Sequence, residues 1–237
     1  MIGRAIWFTL LTLLALLATV AQVDRRSRYD GELASLVPSA YVGFASEQRT
    51  RQALAQGYGE RALAEAQRLL RYRPLPANHL TMLALAEGMQ SNAASATAAL
   101  EVAAARSWRD PLPQAASAQA ALTQGEHTIA AQRVSALLAT GELPDRAGEL
   151  FARLVASPEG REAMAARYAA PGHWQANSLT GAALVARPPD IARALELALE
   201  MGAELPCDRL LRLAEDFVRR GYAKDASRFQ PVNCTRR

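Results

Sequence analysis

The side chains able to do chemistry are few and scattered. His79, His127 and His173 stand far apart, with no second histidine or cysteine within five residues of any of them. Zinc hydrolysis needs two imidazoles one helical turn apart, or an equivalent cluster, so each histidine is expected at a surface or a helix end, not on a metal. A serine hydrolase would place its nucleophile in a Gly-x-Ser-x-Gly elbow, and no such motif occurs. No glycine-rich phosphate loop is present either, and Glu215-Asp216 reads as a solvated helix face. The expectation is a protein that is not an enzyme, with no metal, no cofactor and no small-molecule substrate. A hydrolase whose site is assembled from distant residues is the alternative.

The elements that must position these residues are helical. Half of the 237 residues are hydrophobic but only 6% are aromatic, so alanine and leucine supply the apolar content. Strand formers are scarce among them, which predicts an all-α chain with a sizeable core. The same composition excludes a disordered chain, a collagen repeat and a disulfide-dense miniprotein. The net charge of +4 points to no nucleic acid. Lys224 is the only lysine, and the arginines are interspersed with acids, as in Glu60-Arg61 and Asp208-Arg209, instead of lying on one stripe.

Residues 1–23 carry a membrane signal. Ala5 to Val23 is a charge-free run of nineteen residues, preceded by Arg4 and followed by Asp24, Arg25, Arg26 and Arg28. At ~1.5 Å per residue it spans ~28 Å, close to the hydrocarbon thickness. The favoured reading is an uncleaved single-pass anchor, because the run exceeds the usual apolar core of a signal peptide. The alternative is a signal peptide cut near Ala21, releasing a soluble periplasmic protein. The arginines after the span favour a cytoplasmic C-terminal flank, whereas short N-terminal apolar segments commonly export the domain behind them. The two cysteines arbitrate. Cys207 and Cys234 match no zinc or redox spacing and would form one disulfide in an exported domain. The expectation is therefore a bacterial inner-membrane protein with a periplasmic domain.

Residues 24–42 read as a polar juxtamembrane connector around Pro38. Beyond it the chain repeats. Gly57-Tyr58-Gly59-Glu60-Arg61-Ala62, Ser91-Asn92-Ala93-Ala94-Ser95-Ala96 and Gly125-Glu126-His127-Thr128-Ile129-Ala130 each open an amphipathic run, 34 residues apart. Ala62, Ala96 and Ala130 are in phase, as are Ala66, Leu100 and Val134, then Leu69, Ala103 and Leu137. That i, i+4, i+7 spacing is one face of a helix. Ala96, at a helix contact, is expected to have no room for a large side chain, and Ala94 is expected off that face.

A 34-residue unit of two helices, with a small residue at the turn and alanine at closest approach, resembles the tetratricopeptide repeat family over residues 43–142. Gly57, Ala62 and Pro74 carry the match in the first unit; Leu80, Leu83 and Ala84 add to it in the second. Ser46, Arg49 and Thr50 depart from the pattern. The resemblance implies a helical-hairpin solenoid whose first helices line a groove. That groove would hold Phe44, Glu47, Arg51 and Leu54, then Asn78, Thr81, Leu85 and Met89, then Gln119 and Leu122. Such a surface suits an extended peptide or a partner helix. Arg68, Arg71 and Arg73 cluster at a helix end, where an acidic polymer or a lipid headgroup could dock, although the helix dipole alone favours cations there.

Residues 143–237 lose the period but keep the helices, as a divergent C-terminal region. Runs at 145–155, 158–169, 174–186, 189–201 and 206–219 are separated by proline or glycine. Tyr168, Trp108 and Trp174 are expected to pack between helices. The expected function is a membrane-anchored scaffold for protein–protein interaction in an envelope assembly. The alternative is a single-pass accessory subunit whose anchor helix itself packs against partners.

Overall fold

The computed structural model describes residues 2–229 apart from 40, 42, 171 and 173. Cys234 and His173 therefore lie outside the described residues. The chain is all-α, and among the described residues there is no strand. It divides into two compact units, Met1–Ala103 and Ala104–Arg237.

The first unit begins with α1 (Ile2–Ser27), a helix long and apolar enough to cross a membrane, none of whose most apolar stretch is buried. Thr9, Thr12 and Thr19 return their hydroxyls to the carbonyls of Ala5, Phe8 and Ala15, which satisfies the polar group without water. By length and position α1 is a candidate membrane span or signal sequence. A 3-10 turn (Glu32–Leu36) comes next, then α2 (Phe44–Ala55), α3 (Gly59–Tyr72), α4 (Ala77–Met89) and α5 (Ala93–Arg106), inside which the first unit ends. Helices α2, α3 and α4 pack on one another, around a cluster of Ala53, Ala62 and Ala86.

The segment after α1 is packed, not loose. Ala34, Val37 and Ala45 form a small core with Val20 and Val23 of α1. Three side chains of α2 staple it in place: Gln48 donates to the Arg28 carbonyl, Arg49 to those of Ala34 and Val37, and Gln52 to that of Gly31.

The second unit holds α6 (Pro111–Gln124), α7 (His127–Thr140), α8 (Pro144–Val155) and α9 (Pro158–Ala169). Helix α10 (174–185) is next, then α11 (Pro188–Glu200), α12 (Cys207–Arg219) and α13 (Ala223–Arg228). Five of these helices carry proline in the first turn or just before it, where the missing N–H costs nothing. Its core is continuous from Ala115 to Phe229, with Phe151, Met164, Tyr168, Leu195 and Phe217 fully enclosed. Helix α10 contains a π-helical turn (Ser178–Ala182) that the sequence pattern does not announce. Ser178 there accepts from the Tyr168 hydroxyl at 2.8 Å and donates to the Gln175 carbonyl. Burial pushes the Tyr168 phenol well above its ordinary value, so it stays a neutral donor.

The 34-residue period is written in the backbone. Gly57, Ser91 and Gly125 all have positive φ, at 77°, 61° and 74°. At each of these three positions the next amide, of Tyr58, Asn92 or Glu126, donates to the carbonyl five residues back, of Ala53, Glu87 or Ala121. That bond is the Schellman closure of a helix end. The following helix then starts with the amide of Ala62, Ala96 or Ala130 donating to the carbonyl of Tyr58, Asn92 or Glu126. Ser91 takes the left-handed position without glycine's freedom, at a cost of roughly 1 kcal/mol. The same closure recurs out of phase at Gly202 and Gly221.

Burial follows the phase at its ends better than in its middle. Ala62, Ala66 and Leu69, and likewise Ala130, Val134 and Leu137, are fully buried, whereas Ala96 and Leu100 are half-buried. The close contact expected at Ala96 is thus tighter at Ala130, where α6 and α7 meet. Ala130→Phe should overpack that contact and cost about 1–3 kcal/mol or more. Gln132→Phe, on the exposed side of the same helix, should change thermal unfolding little. Equal losses at both positions would refute the assigned phase.

Candidate functional site

The first unit holds a cleft of about 400 Å³ lined by Arg28, Tyr29, Phe44, Glu47, Arg51, Arg73, Pro76, Asn78 and His79. Four elements build it. Arg28 and Tyr29 come from the residues just after α1, and Phe44, Glu47 and Arg51 are one face of α2. Arg73 caps α3, its amide donating to the Leu69 carbonyl at 2.8 Å. The Pro74-Leu75-Pro76 turn, which no helix can continue through, then sets Asn78 and His79 on the first turn of α4.

Glu47 is the centre of the cleft. Its Oε1 accepts from Arg51 one turn away on α2 and from Asn78 Nδ2 at 3.1 Å. Its Oε2 lies 3.4 Å from His79 Nε2 and 4.0 Å from Arg73 Nη1. The His79 hydrogen bond holds the carboxyl below its ordinary value, against burial, which pushes it up; Arg51 and Arg73 reinforce the lowering. A depressed carboxylate stabilises the fold fully above its unfolded value, near 4.5, and loses that contribution as the pH falls through its own lower value. His79 is fully buried, and its Nδ1 lies 2.9 Å from the Arg73 carbonyl. The surface or helix-end position expected of His79 is thus half right: it opens α4 but is enclosed, because the α3 end and α2 both close on it.

Positive charge dominates around this carboxylate. The Arg73 guanidinium stands 4.7 Å from the Phe44 ring centroid and that of Arg28 stands 5.4 Å from it, with Arg28 also 5.7 Å from the Tyr29 ring. Arg73 Nη1 is buried and, apart from the 4.0 Å ion pair with Glu47, makes no hydrogen bond among the described residues. Such a donor favours a further acceptor in the cleft.

Of the residues expected to line a groove, Phe44, Glu47, Arg51 and Asn78 meet here. Leu54 packs partly buried against the Ala53, Ala62 and Ala86 cluster, and Thr81 turns into the interior. Leu85 and Met89 remain exposed further along α4, at 44% and 40%, which leaves them available for contact. Gln119 and Leu122 belong to the second unit. Gln119 Oε1 accepts from Arg146 and Arg153 of α8, and Leu122 packs on that unit's core. Arg28, Tyr29, Arg73 and His79 were not in the expected groove. Arg73 stood out only as part of an arginine cluster, His79 only as an isolated histidine and Arg28 only as a charge after the apolar run, while Tyr29 had no local signal.

The remaining expectations divide. Tyr168 and Trp174 do pack together, with ring centroids 4.8 Å apart. Trp108 does not: it is half-exposed, with Arg109 over its ring at 4.6 Å. Cys207 is the first residue of α12, and its expected partner lies outside the described residues. Among the described residues no group of three or more His, Cys, Asp or Glu side chains is arranged to hold a metal ion. Compared with models of protein families, with curated proteins and with solved structures, the chain finds no match.

Proposed function

We propose that the protein is a membrane-anchored, tetratricopeptide-like scaffold that holds a protein partner at the bacterial inner membrane, with its helical units in the periplasm. The observation that carries this reading is the meeting of Phe44, Glu47, Arg51 and Asn78 in one cleft, beside the exposed Leu85 and Met89. An aromatic ring, paired charges and an amide on two neighbouring helices offer an extended segment both apolar contact and hydrogen bonds. The recurring helix closure at 57, 91 and 125 supports the repeat reading. On this reading the protein is not an enzyme, and a Cys207–Cys234 disulfide would pin the C-terminus, worth about 3–4 kcal/mol before strain is subtracted.

The test uses the full chain in native membranes, with a photo-crosslinking residue at position 51, 78 or 61. Positions 51 and 78 line the cleft, whereas Arg61 is exposed on α3. A discrete protein adduct is expected from 51 and 78 only. The same adducts from all three positions would sink the scaffold reading. The second reading, an accessory subunit, is favoured by the unburied surface of α1 and predicts adducts from within residues 5–23 instead.

A further inference from the structure

We propose that the Arg28–Arg51–Arg73 cleft is a phosphate site that takes the headgroup of an anionic lipid in the leaflet from which α1 emerges. The site depends on α1 remaining a membrane anchor, and it does not need a protein partner.

Three observations lead to it. The first is charge. Three guanidiniums face one carboxylate, and that carboxylate is already engaged by Arg51, Asn78 and His79. The cleft therefore attracts an anion despite Glu47. The second is a weakly met donor, since Arg73 Nη1 is buried and, beyond its 4.0 Å ion pair with Glu47, has no hydrogen-bond acceptor among the described residues. Guanidiniums are suited to phosphate because their forked donors match its oxygens.

The third observation is height above the membrane. Asp24, in the last turn of α1, accepts from the amides of Phe44 and Ala45, so α2 starts where α1 ends. From Val23, the last apolar residue of the run, to Ser27, the end of α1, the rise is about 6 Å at ~1.5 Å per residue. The headgroup layer on each side of a bilayer is about 5–7 Å thick. Arg28 and Tyr29 therefore enter the cleft wall at headgroup level, where tyrosine and arginine favour the interface. The volume of about 400 Å³ accommodates a phosphodiester with a small polar substituent.

The neighbouring arginines supply the control. Arg25 and Arg26 are exposed, equally close to the membrane, and outside the cleft. General attraction to an acidic surface would use them as well as Arg28; a site would not.

The full chain in neutral detergent is titrated with phosphatidylglycerol, phosphatidylcholine or inorganic phosphate, and bound molecules are counted by native mass spectrometry. Wild type should retain one phosphatidylglycerol, in preference to phosphatidylcholine, and millimolar inorganic phosphate should compete with it. Arg28→Gln alone should weaken retention several-fold, and Arg28→Gln with Arg73→Gln at least tenfold. The Arg25→Gln, Arg26→Gln double variant should stay within about twofold of wild type. Thermal melts identify any variant that fails to fold, in which case Arg28→Gln, whose side chain makes only ring contacts among the described residues, carries the test. Equal losses in the two double variants, or equal retention of both lipids, would overturn the proposal. So would phosphate that binds while phosphatidylglycerol does not. Sedimentation with membranes at high salt tests the anchor separately, so a chain that stays in the pellet yet retains no lipid refutes the cleft site alone.

Discussion

Gly160→Ala should lower the stability of the second unit by about 3 kcal/mol, and a larger side chain there should prevent folding. Gly160 lies in the first turn of α9, where its amide donates to the Ser157 hydroxyl at 3.0 Å. A Cβ on Gly160 would fall 1.8 Å from the carbonyl oxygen of Leu154, at the end of α8. That neighbour is backbone and cannot rotate away. The Leu154 side chain and the Met164 and Ala165 side chains one turn on are fully buried, so neither helix can retreat without opening the core. Arg161 ties the corner further, donating to the carbonyls of Val155 and Ala156 and to Asp190 of α11. The cost therefore sits at the upper end of the ~1–3 kcal/mol usual for overpacking. A fall in Tm of about 10 °C is the measurable form. Gly181→Ala, inside α10 and with nothing within 4 Å of the added methyl, is the control and should be neutral or slightly stabilising. Matching losses at both glycines would refute the steric account.

The α8–α9 corner also shows what a sequence can disclose. Pro158 and the runs around it announce that one helix ends and another begins, and α9 occupies 158–169 as the pattern predicts. The same punctuation located α8, α11 and α12 to within a residue or two. Proline and glycine act through the local backbone, so their effects are legible locally. The 34-residue phase was legible for the same reason, since each turn closes on residues five positions apart. That a Cβ on Gly160 would meet the Leu154 carbonyl, only six residues back, is not announced by this punctuation, because it depends on the angle at which α9 leaves α8.

The cleft divides along the same line. Glu47, Arg51 and Phe44 were legible as one helical face, and Asn78 as its counterpart on the next first helix. The tetratricopeptide resemblance also puts Thr81 on that face, but α4 packs on α2 and α3 together and the interior claims it. Arg28 and Tyr29 reach the cleft only because the segment after α1 folds back onto α2, through hydrogen bonds spanning about twenty residues. No periodicity encodes such contacts. Trp108 shows the opposite error: its size argued for burial, yet it lies in the turn between α5 and α6, half-exposed and stacked with Arg109.

Asp24→Ala should release α1 from α2 and cost about 3 kcal/mol. The carboxylate is 5% exposed, with Oδ1 2.8 Å from the Ala45 amide and Oδ2 3.1 Å from the Phe44 amide. It thus caps α2 from outside the helix, twenty residues away in sequence, and places negative charge at the positive end of the dipole. Each charge-assisted bond is worth roughly 1.5–3 kcal/mol, and truncation leaves two amides to find other partners. Gly43 supplies an internal check. A Cβ there would lie 2.2 Å from Asp24 Oδ2, so Gly43→Ala should displace the same carboxylate. The two substitutions act on one contact, and the double variant should cost clearly less than the sum of the singles. Additive losses would show that Asp24 and Gly43 act independently. Thermal unfolding of the full chain in detergent measures the cost, and amide exchange at Phe44 and Ala45 reports the uncapping directly. The consequence reaches the cleft, because the cap fixes α2, which carries Phe44, Glu47 and Arg51, against the helix end that carries Arg28. Uncapping should therefore weaken phosphatidylglycerol retention while every cleft side chain is still present. Undiminished retention in Asp24→Ala would mean that the cleft keeps its geometry without the α1–α2 junction.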